Sequence, residues 1–335
     1  MKIMIKFYLF LTLIYHVNTA DGILQYKKVV TFGDSTTDSG TAYRLSNHTW
    51  PPVPPFNING GFADDLLWNE IFTKEFLSNA TLENYACGSA TTDNNLAQGN
   101  MSRNPNLILN YDIRANTKSP GVRQQINQYI NSITNKDNDF DNILYIIWSG
   151  TNNYYFNKTL TVLNTIESLI DCLNLLIKFG AQNLVIINEP PFDRFPAFRN
   201  KNETNQTKEL YLNHNNILNK NFNENYSSSN TKVNIRLFDS YSFIVNIMNN
   251  YRNYDFENLD NCWDTITNST IQIRCENIRK RMFCDEYHFT SQMQNLIAQE
   301  FYRVMTIERN SAFHITGKIT IYFILIIFVL HKSFF

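Results

Sequence analysis

A serine near the start of the chain, and an aspartate and a histidine near its end, have the residue types of a nucleophilic site. Ser35 follows Gly33 and Asp34 after a β-branched run, where a tight turn can expose its hydroxyl to a cleft. Asp285 and His288 are three residues apart, so the carboxylate could fix the imidazole tautomer and leave Nε2 free as a base. Taken singly, Ser35 is equally typical of a helix N-cap, and His288 of an ordinary surface histidine.

Two other turns offer hydrogen-bond donors to a developing negative charge. Gly88 follows a short predicted strand, and a residue without Cβ allows a ligand to approach its backbone N–H closely. Asn152 follows a longer apolar run, and its side-chain amide is a neutral donor suited to an oxyanion. Each of these turns is unremarkable alone, so only their combination with Ser35 and His288 indicates a site.

The elements that must position these residues alternate between strand and helix. Helices of this length between strands imply right-handed crossovers and a parallel sheet. We therefore predict an α/β fold, a three-layer α/β/α sandwich with a central parallel five-stranded sheet, in one domain over residues 25–308. Ser35, Gly88 and Asn152 then follow strands at the carboxyl edge of the sheet, where open α/β sheets place their chemistry. The predicted strands cover residues 28–32, 82–86, 143–148, 184–187 and 233–238, and the predicted helices 61–77, 122–133, 160–179, 204–226 and 289–305.

These segments, in this order, resemble the GDSL family of esterases and lipases, also called SGNH hydrolases after their Ser, Gly, Asn and His. The matching blocks are Gly33-Asp34-Ser35, Gly88, Gly150-Thr151-Asn152 and Asp285-Glu286-Tyr287-His288. The sequence between them is similar to the fungal, acetylesterase-like branch, for example in Thr49-Trp50-Pro51-Pro52 and Ala90-Thr91-Thr92-Asp93-Asn94.

The resemblance implies a flavodoxin-like fold and a carboxyl ester hydrolase that needs no metal and no organic cofactor. It assigns Ser35 as the nucleophile, His288 as the base and Asp285 as the residue that orients the base. It also assigns the backbone N–H groups of Ser35 and Gly88 and the amide of Asn152 to an oxyanion hole. Each of these residues is present in the chain.

The chain departs from the family pattern at several turns. Asn153 replaces the usual aspartate, Phe289 the usual proline and Ser89 a common second glycine. These changes remove none of the expected catalytic groups, but they bear on substrate preference and turnover. Because of Asn153 and Phe289, a catalytically silent surface protein that binds glycans or lipids stays an alternative.

The expected substrate is an ester of a small molecule or of a carbohydrate, with acetylated carbohydrates or short-chain esters favoured. Trp50, Trp68 and Tyr43 are aromatic residues that could stack on sugar rings, although such residues more often belong to the core. A lipid acylhydrolase is the alternative enzyme, and it would need a long apolar groove.

Composition excludes several other classes of protein. The chain has 335 residues, of which 43% are hydrophobic, enough for a sizeable core. Its 29 basic and 30 acidic residues nearly balance, which gives no indication of a nucleic-acid partner. Glycine and proline are too sparse for a collagen-like or low-complexity chain. No CxxC or HExxH spacing suggests zinc.

Both ends of the chain have the pattern of processing signals. Residues 1–20 run from basic to apolar to small, which predicts a secretory signal peptide. The apolar residues 319–330 would span only about 18 Å as a helix, short of a hydrocarbon layer of about 30 Å. We therefore predict that residues 309–335 form a GPI-attachment signal or a short membrane anchor, with a buried core helix as the alternative. The protein is expected to be secreted, with anchoring at the cell surface if the tail is a GPI signal or a membrane anchor.

Secretion is consistent with two further features. Cys262 and Cys275 flank a polar loop and are the best candidates for a disulfide bond in an oxidising compartment, whereas the pairing of the remaining cysteines stays open. The chain also has eight Asn-X-Ser/Thr sites for glycosylation, at Asn47, Asn79, Asn100, Asn157, Asn202, Asn205, Asn225 and Asn268.

Overall fold

The computed structural model describes residues 24–77, 79–101, 117–133, 139–226, 233–264 and 272–306. The predicted signal peptide, residues 1–20, lies outside the described residues. So do the predicted C-terminal tail, residues 309–335, and the glycosylation site at Asn268. In the part of the chain that is described, no helix is both long and apolar enough to cross a membrane.

The chain divides into two compact units. One unit is formed by residues 26–298, and the other by residues 1–25 together with 299–335. The sheet and the site belong to the first unit. The predicted domain boundaries at residues 25 and 308 stay a prediction.

A five-stranded parallel sheet forms the centre of the first unit. Its strands lie in the order β2-β1-β3-β4-β5, and all neighbours are parallel. All six residues of β3 are buried, as expected for a continuous apolar run in a sheet covered on both faces. This order is the flavodoxin-like order, so the predicted fold class is confirmed. The strands are β1 (Lys28–Gly33), β2 (Thr81–Asn84), β3 (Ile143–Trp148), β4 (Asn183–Ile187) and β5 (Asn234–Phe238).

The helices alternate with the strands as predicted, although some helices were not predicted and some bounds differ. They are α1 (Thr41–Leu45), α2 (Trp68–Ile71, continued by a π-helix over Phe72–Phe76), α3 (Val122–Ser132), α4 (Thr151–Phe156), α5 (Val162–Phe179), α6 (Thr204–Tyr226), α7 (Ser240–Asn249) and α8 (residues 291–306). The short helices α1 and α4 and the helix α7 were not predicted. The helix predicted from residue 61 begins only at Trp68, because the Asn57 side chain bonds Gly61 N–H and Asp65 C=O and holds that segment as a loop.

Capping explains the bounds of α5, one of the predicted crossover helices. Thr161 and Asn164 form reciprocal hydrogen bonds at its N-terminus, which satisfy N–H groups that the helix itself cannot pair. Gly180 ends the helix, and its N–H bonds the carbonyl groups of Leu176 and Ile177.

Short strands near the C-terminal end of the unit carry the predicted disulfide bond. β6 (Asn258–Asn261) pairs with β9 (Arg281–Phe283), and β7 (Trp263–Asp264) pairs with β8 (Gln272–Ile273). Cys262 and Cys275 are disulfide-bonded across the β7–β8 pair, which confirms that prediction. The other cysteines, Cys87, Cys172 and Cys284, are buried free thiols.

Candidate active site

Ser35 lies in a tight turn directly after β1. The Asp34 carbonyl accepts hydrogen bonds from the N–H groups of Thr37 (3.1 Å) and Asp38 (2.9 Å), which closes the turn. The Asp34 carboxylate accepts from the N–H (3.0 Å) and the hydroxyl (2.8 Å) of Thr36. The strand therefore ends with the Ser35 hydroxyl fixed at the carboxyl edge of the sheet.

The structure brings the three predicted catalytic residues into one line of hydrogen bonds. His288 Nε2 lies 2.9 Å from Ser35 Oγ, and His288 Nδ1 lies 2.8 Å from Asp285 Oδ1. Asp285 Oδ1 also accepts the N–H groups of Tyr287 (3.0 Å) and His288 (2.7 Å), so the same carboxylate orders the loop and the ring. All three members of the line are buried. A ring held in this way can take a proton from Ser35 without reorienting.

Aromatic side chains pack on the His288 ring from the side of the core. Phe56 meets the ring edge-on at 5.5 Å, and Phe62 lies 4.9 Å away, both between ring centres. Trp50 packs on Phe62 at 4.8 Å and Trp68 is fully buried, so both tryptophans belong to the core. Among the described residues lining the cavity beside Ser35, neither tryptophan nor Tyr43 appears. The sugar-stacking role considered for these three residues is therefore wrong.

Gly88 does not offer its N–H to the site. That N–H donates to Asp38 Oδ2 at 2.7 Å, and the same carboxylate accepts N–H groups from the first turn of α1, including those of Thr41 (2.6 Å) and Ala42 (2.9 Å). Burial raises the pKa of Asp38, while these N–H groups act to lower it. The prediction that Gly88 is an oxyanion donor is therefore corrected, because a buried carboxylate has taken its only donor.

The next residue, Ser89, has the free donor instead. Its backbone is left-handed (φ 64°), the side chain is fully buried, and its N–H has no acceptor among the described residues. The N–H of Ser35 likewise has no acceptor in the described part of the chain. Asn152 uses one hydrogen of Nδ2 on the carbonyl of Ala90 (2.9 Å), which leaves the second hydrogen. A left-handed backbone favours glycine, and Ser89 stands where the family commonly has a second glycine. This departure was the signal in the sequence that could have identified Ser89 as the donor.

Two departures from the family pattern have a structural reason. Asn153 Oδ1 accepts the N–H of Thr92, and its Nδ2 donates to the Thr92 hydroxyl, both at 2.8 Å. The amide thus satisfies a donor and an acceptor at once, which orders the turn without a charge. Phe289 is buried against Phe195 (5.0 Å) and Phe283 (5.2 Å). Neither substitution breaks the line of hydrogen bonds.

A cavity of about 270 Å³ opens beside Ser35, Asn152 and His288. It is larger than a cavity of about 150 Å³ that binds benzene. Lys158 lies at the cavity with its Nζ 5.6 Å from the Tyr155 ring centre. The walls contain both aromatic rings and hydroxyl groups, and they include Tyr154, Tyr155, Phe156, Phe192, Phe198, Tyr211, Tyr287, Thr36, Thr151 and Thr207.

A buried polar cluster lies next to the start of α4. The Thr151 hydroxyl donates to Glu189, and His214 Nδ1 lies 2.7 Å from the Tyr154 hydroxyl. Burial, with the charge of Asp34, raises the pKa of Glu189, and burial lowers the pKa of His214 to about 3. Sequence reasoning missed both residues, although Glu189 stands in the turn that follows β4. Among the described residues, no group of three or more His, Cys, Asp or Glu side chains could hold a metal ion.

A flavodoxin-like sheet with a serine, a histidine and an aspartate joined at its carboxyl edge is the architecture of an α/β serine hydrolase. The model of the GDSL-like lipase/acylhydrolase family matches residues 29–301. The chain therefore belongs to this family, as the sequence motifs predicted.

Curated relatives include enzymes that act on esters. The phosphatidylcholine-sterol acyltransferase of Aeromonas hydrophila is 26% identical over 207 residues, which cover 60% of this chain and 56% of that protein. The acetylesterase of Thermothelomyces thermophilus is 29% identical over 200 residues, which cover 55% of this chain and 60% of that protein. The chain thus spans between half and two thirds of the length of these relatives.

Solved structures similar to the chain include the inhibitor-bound aryl esterase of M. smegmatis, at 14% identity and a TM-score of 0.47. That match covers 83% of this chain and 98% of the esterase. A lipolytic protein of the G-D-S-L family from Veillonella parvula is 12% identical with a TM-score of 0.45, over 84% of this chain and 98% of that protein.

Proposed function

We propose that this protein hydrolyses carboxylic esters, with Ser35 as nucleophile, His288 as general base and Asp285 as the residue that orients His288. The observation that carries the proposal is the buried line of hydrogen bonds from Ser35 Oγ through both ring nitrogens to Asp285 Oδ1. The GDSL-like family match supports the same reaction class.

In this mechanism Ser35 Oγ attacks the ester carbonyl carbon while His288 Nε2 takes the hydroxyl proton. The tetrahedral intermediate collapses, the C–O bond to the alcohol breaks, and the imidazolium returns its proton to the leaving alkoxide. Water then attacks the acyl-serine and gives its proton to Nε2, and Ser35 leaves with a proton as the acid is released. Asp285 stabilises the imidazolium in both halves of the reaction.

The oxyanion donors in this proposal are the N–H groups of Ser35 and Ser89 and the Asn152 amide. Ser89 takes the place predicted for Gly88, whose N–H bonds Asp38. Removing one such donor typically costs about 100- to 1000-fold in kcat. An Asn152→Ala variant is therefore expected to lose activity to that degree, with little effect on folding.

The substrates proposed first are acetylated carbohydrates or other short-chain esters. The cavity supports this with aromatic rings that can stack on a sugar and hydroxyl groups that can hydrogen-bond it, and two fungal acetylesterases are among the relatives. A lipid acylhydrolase is the second candidate. It is favoured by a cavity of about 270 Å³, more than an acetyl group needs, and by the similarity to an acyltransferase of phosphatidylcholine and sterol.

The test is hydrolysis of p-nitrophenyl esters from acetate to palmitate, with Ser35→Ala as the control. A fluorophosphonate probe reports the nucleophile independently of the substrate chosen. Hydrolysis and labelling that both disappear in Ser35→Ala would support the proposal. A folded wild-type protein with neither property would instead favour the silent glycan- or lipid-binding alternative.

We further propose that the protein is secreted, glycosylated and held at the cell surface through its C-terminus. The sequence of both ends and the Asn-X-Ser/Thr sites support this. The side chains of Asn47, Asn79, Asn202, Asn205 and Asn225 are exposed. Release from cells by a phosphatidylinositol-specific phospholipase would indicate a GPI anchor, whereas retention with an intact C-terminal peptide would indicate a membrane segment.

A further inference from the structure

Glu189 is a buried carboxyl group that the proposed mechanism does not use. It stands two residues after β4, and only 2% of the residue is exposed. The Thr151 hydroxyl donates to its Oε2. Thr151 is the first residue of α4, and Asn152 is the second. Glu189 therefore anchors, from a distant part of the chain, the helix turn that carries Asn152.

The backbone of Glu189 is itself fixed from α6. Its N–H donates to Asn215 Oδ1 at 2.9 Å, and its carbonyl accepts from Asn215 Nδ2 at 2.8 Å. The approach of the side chain to the turn is so close that a Cβ on Gly150 would lie 2.8 Å from Glu189 Oε1 and 2.8 Å from His214 Cε1. The end of β4, the start of α4 and the middle of α6 thus meet around this carboxyl group.

The opposite side of the same turn is held by the segment after Gly88. Asn152 Nδ2 donates to the Ala90 carbonyl, and Asn153 makes two hydrogen bonds to Thr92. The Asn152 amide therefore sits between two anchors, Glu189 on one side and residues 90–92 on the other. Without Glu189, the first turn of α4 would keep only one of them, and the Thr151 hydroxyl would lose its acceptor.

We propose that Glu189 is a positioning residue that acts through Thr151 to hold the Asn152 amide at the oxyanion site. This inference rests on the proposed function, because Asn152 matters only if an oxyanion forms. The Glu189 carboxyl accepts from Thr151 of α4, and it lies beside Gly150 together with His214 of α6. The charge of Asp34, in the turn after β1, also acts on it.

The test is a double-mutant cycle on kcat and KM for a p-nitrophenyl ester, with Glu189→Ala, Asn152→Ala and the double variant. Asn152→Ala should lower kcat by about 100- to 1000-fold. Glu189→Ala should lower kcat by at least about 10-fold with KM within about twofold, and the double variant should match Asn152→Ala within about twofold, since coupled residues are not additive.

Glu189→Gln is the matched control for charge. Oε1 has no hydrogen-bond partner among the described residues, so the glutamine nitrogen can take its place while the remaining oxygen still accepts from Thr151. This variant should keep kcat within about threefold of the wild type. If Glu189→Ala acted only by destabilising the fold, it would lower the fraction of folded protein and would show no coupling to Asn152 in the cycle.

Several results would overturn the inference. They are a Glu189→Ala enzyme with wild-type kcat, losses that multiply in the double variant, or a Glu189→Gln enzyme as impaired as Glu189→Ala. If Glu189→Ala does not fold, Thr151→Val, which removes the hydroxyl anchor alone, enters the same cycle with the same criteria. Fluorophosphonate labelling separates the two hypotheses: an unlabelled, inactive wild type refutes the proposed function and this inference with it, whereas labelled, active enzyme with multiplicative losses refutes the inference alone.

Discussion

Replacing the buried His214 should make the free energy of unfolding less sensitive to acid pH. The side chain is 1% exposed, with Nδ1 2.7 Å from the Tyr154 hydroxyl, in the cluster next to the start of α4. Burial disfavours the charged imidazolium and lowers the pKa of His214 to about 3. The folded protein therefore keeps this ring neutral through the whole range in which an unfolded chain protonates it.

The sign and size of the effect follow from proton linkage. Between a pH of about 6.5, where histidine titrates in the unfolded chain, and about 3, the unfolded state binds one more proton than the folded state. The contribution of His214 to the free energy of unfolding is then fully present above about pH 6.5. Below that pH it falls by about 1.4 kcal/mol for each unit by which the pH is lowered. At pH 5 the protein should have lost about 2 kcal/mol through His214, relative to pH 8.

Glu189 contributes in the opposite direction. Burial raises its pKa, so the folded state keeps a proton that the unfolded chain releases, and the stability present below the unfolded pKa is lost as pH rises. A comparison of two variants at each pH removes every contribution that the two variants share. The measured quantity is therefore the difference in unfolding free energy between wild type and His214→Gln, not the stability of either alone.

The assay is urea unfolding of both proteins between pH 8 and pH 5. His214→Gln should be less stable at pH 8, because a packed ring is lost, but the difference should narrow by about 2 kcal/mol by pH 5. His48→Gln, at an exposed histidine, is the control for removing a histidine from the surface. A His214→Gln difference that stays constant across this range would refute the reasoning.

Other predictions concern the site and its supports. Ser35→Ala should abolish ester hydrolysis and fluorophosphonate labelling while thermal unfolding is unchanged; residual labelling would exclude Ser35 as the nucleophile. Gly150→Ala should lower stability by about 1–3 kcal/mol, measured by urea unfolding, because its Cβ would lie 2.8 Å from a buried carboxyl oxygen; a neutral effect would contradict that contact. Ser89→Gly should raise stability by about 1 kcal/mol, since it relieves a left-handed backbone at φ 64°; a lower melting temperature would count against this. Replacing Cys262 and Cys275 together by serine should cost about 3 kcal/mol for a sequence separation of 13 residues, and unchanged urea unfolding would show that the bond contributes nothing.

The sequence alone was sufficient for the sheet and for the line of catalytic candidates. Buried parallel strands are continuous apolar runs, so β3 was found from residue 143 to residue 148 as the structure has it. Residues that follow such strands must meet at one edge, because parallel strands all end there. Ser35, Gly88 and Asn152 could therefore be placed at one edge. Asp285 and His288 precede the last predicted helix and were joined to Ser35 by the resemblance to the GDSL family, although His288 is 253 residues further along the chain.

What only the tertiary structure decided is which partner each polar group takes and which aromatic rings are buried. Gly88 has the residue type of an oxyanion donor, yet its N–H donates to the carboxylate of Asp38, which is 50 residues earlier in the sequence. Trp50 and Trp68 have the residue type of a sugar-binding surface, yet both are in the core. Glu189 gave no periodic signal, because its role comes from contacts with α4 and α6. Periodicity reports burial along one element, whereas a hydrogen bond or a packed ring depends on the distance between elements, which is fixed only when the chain folds.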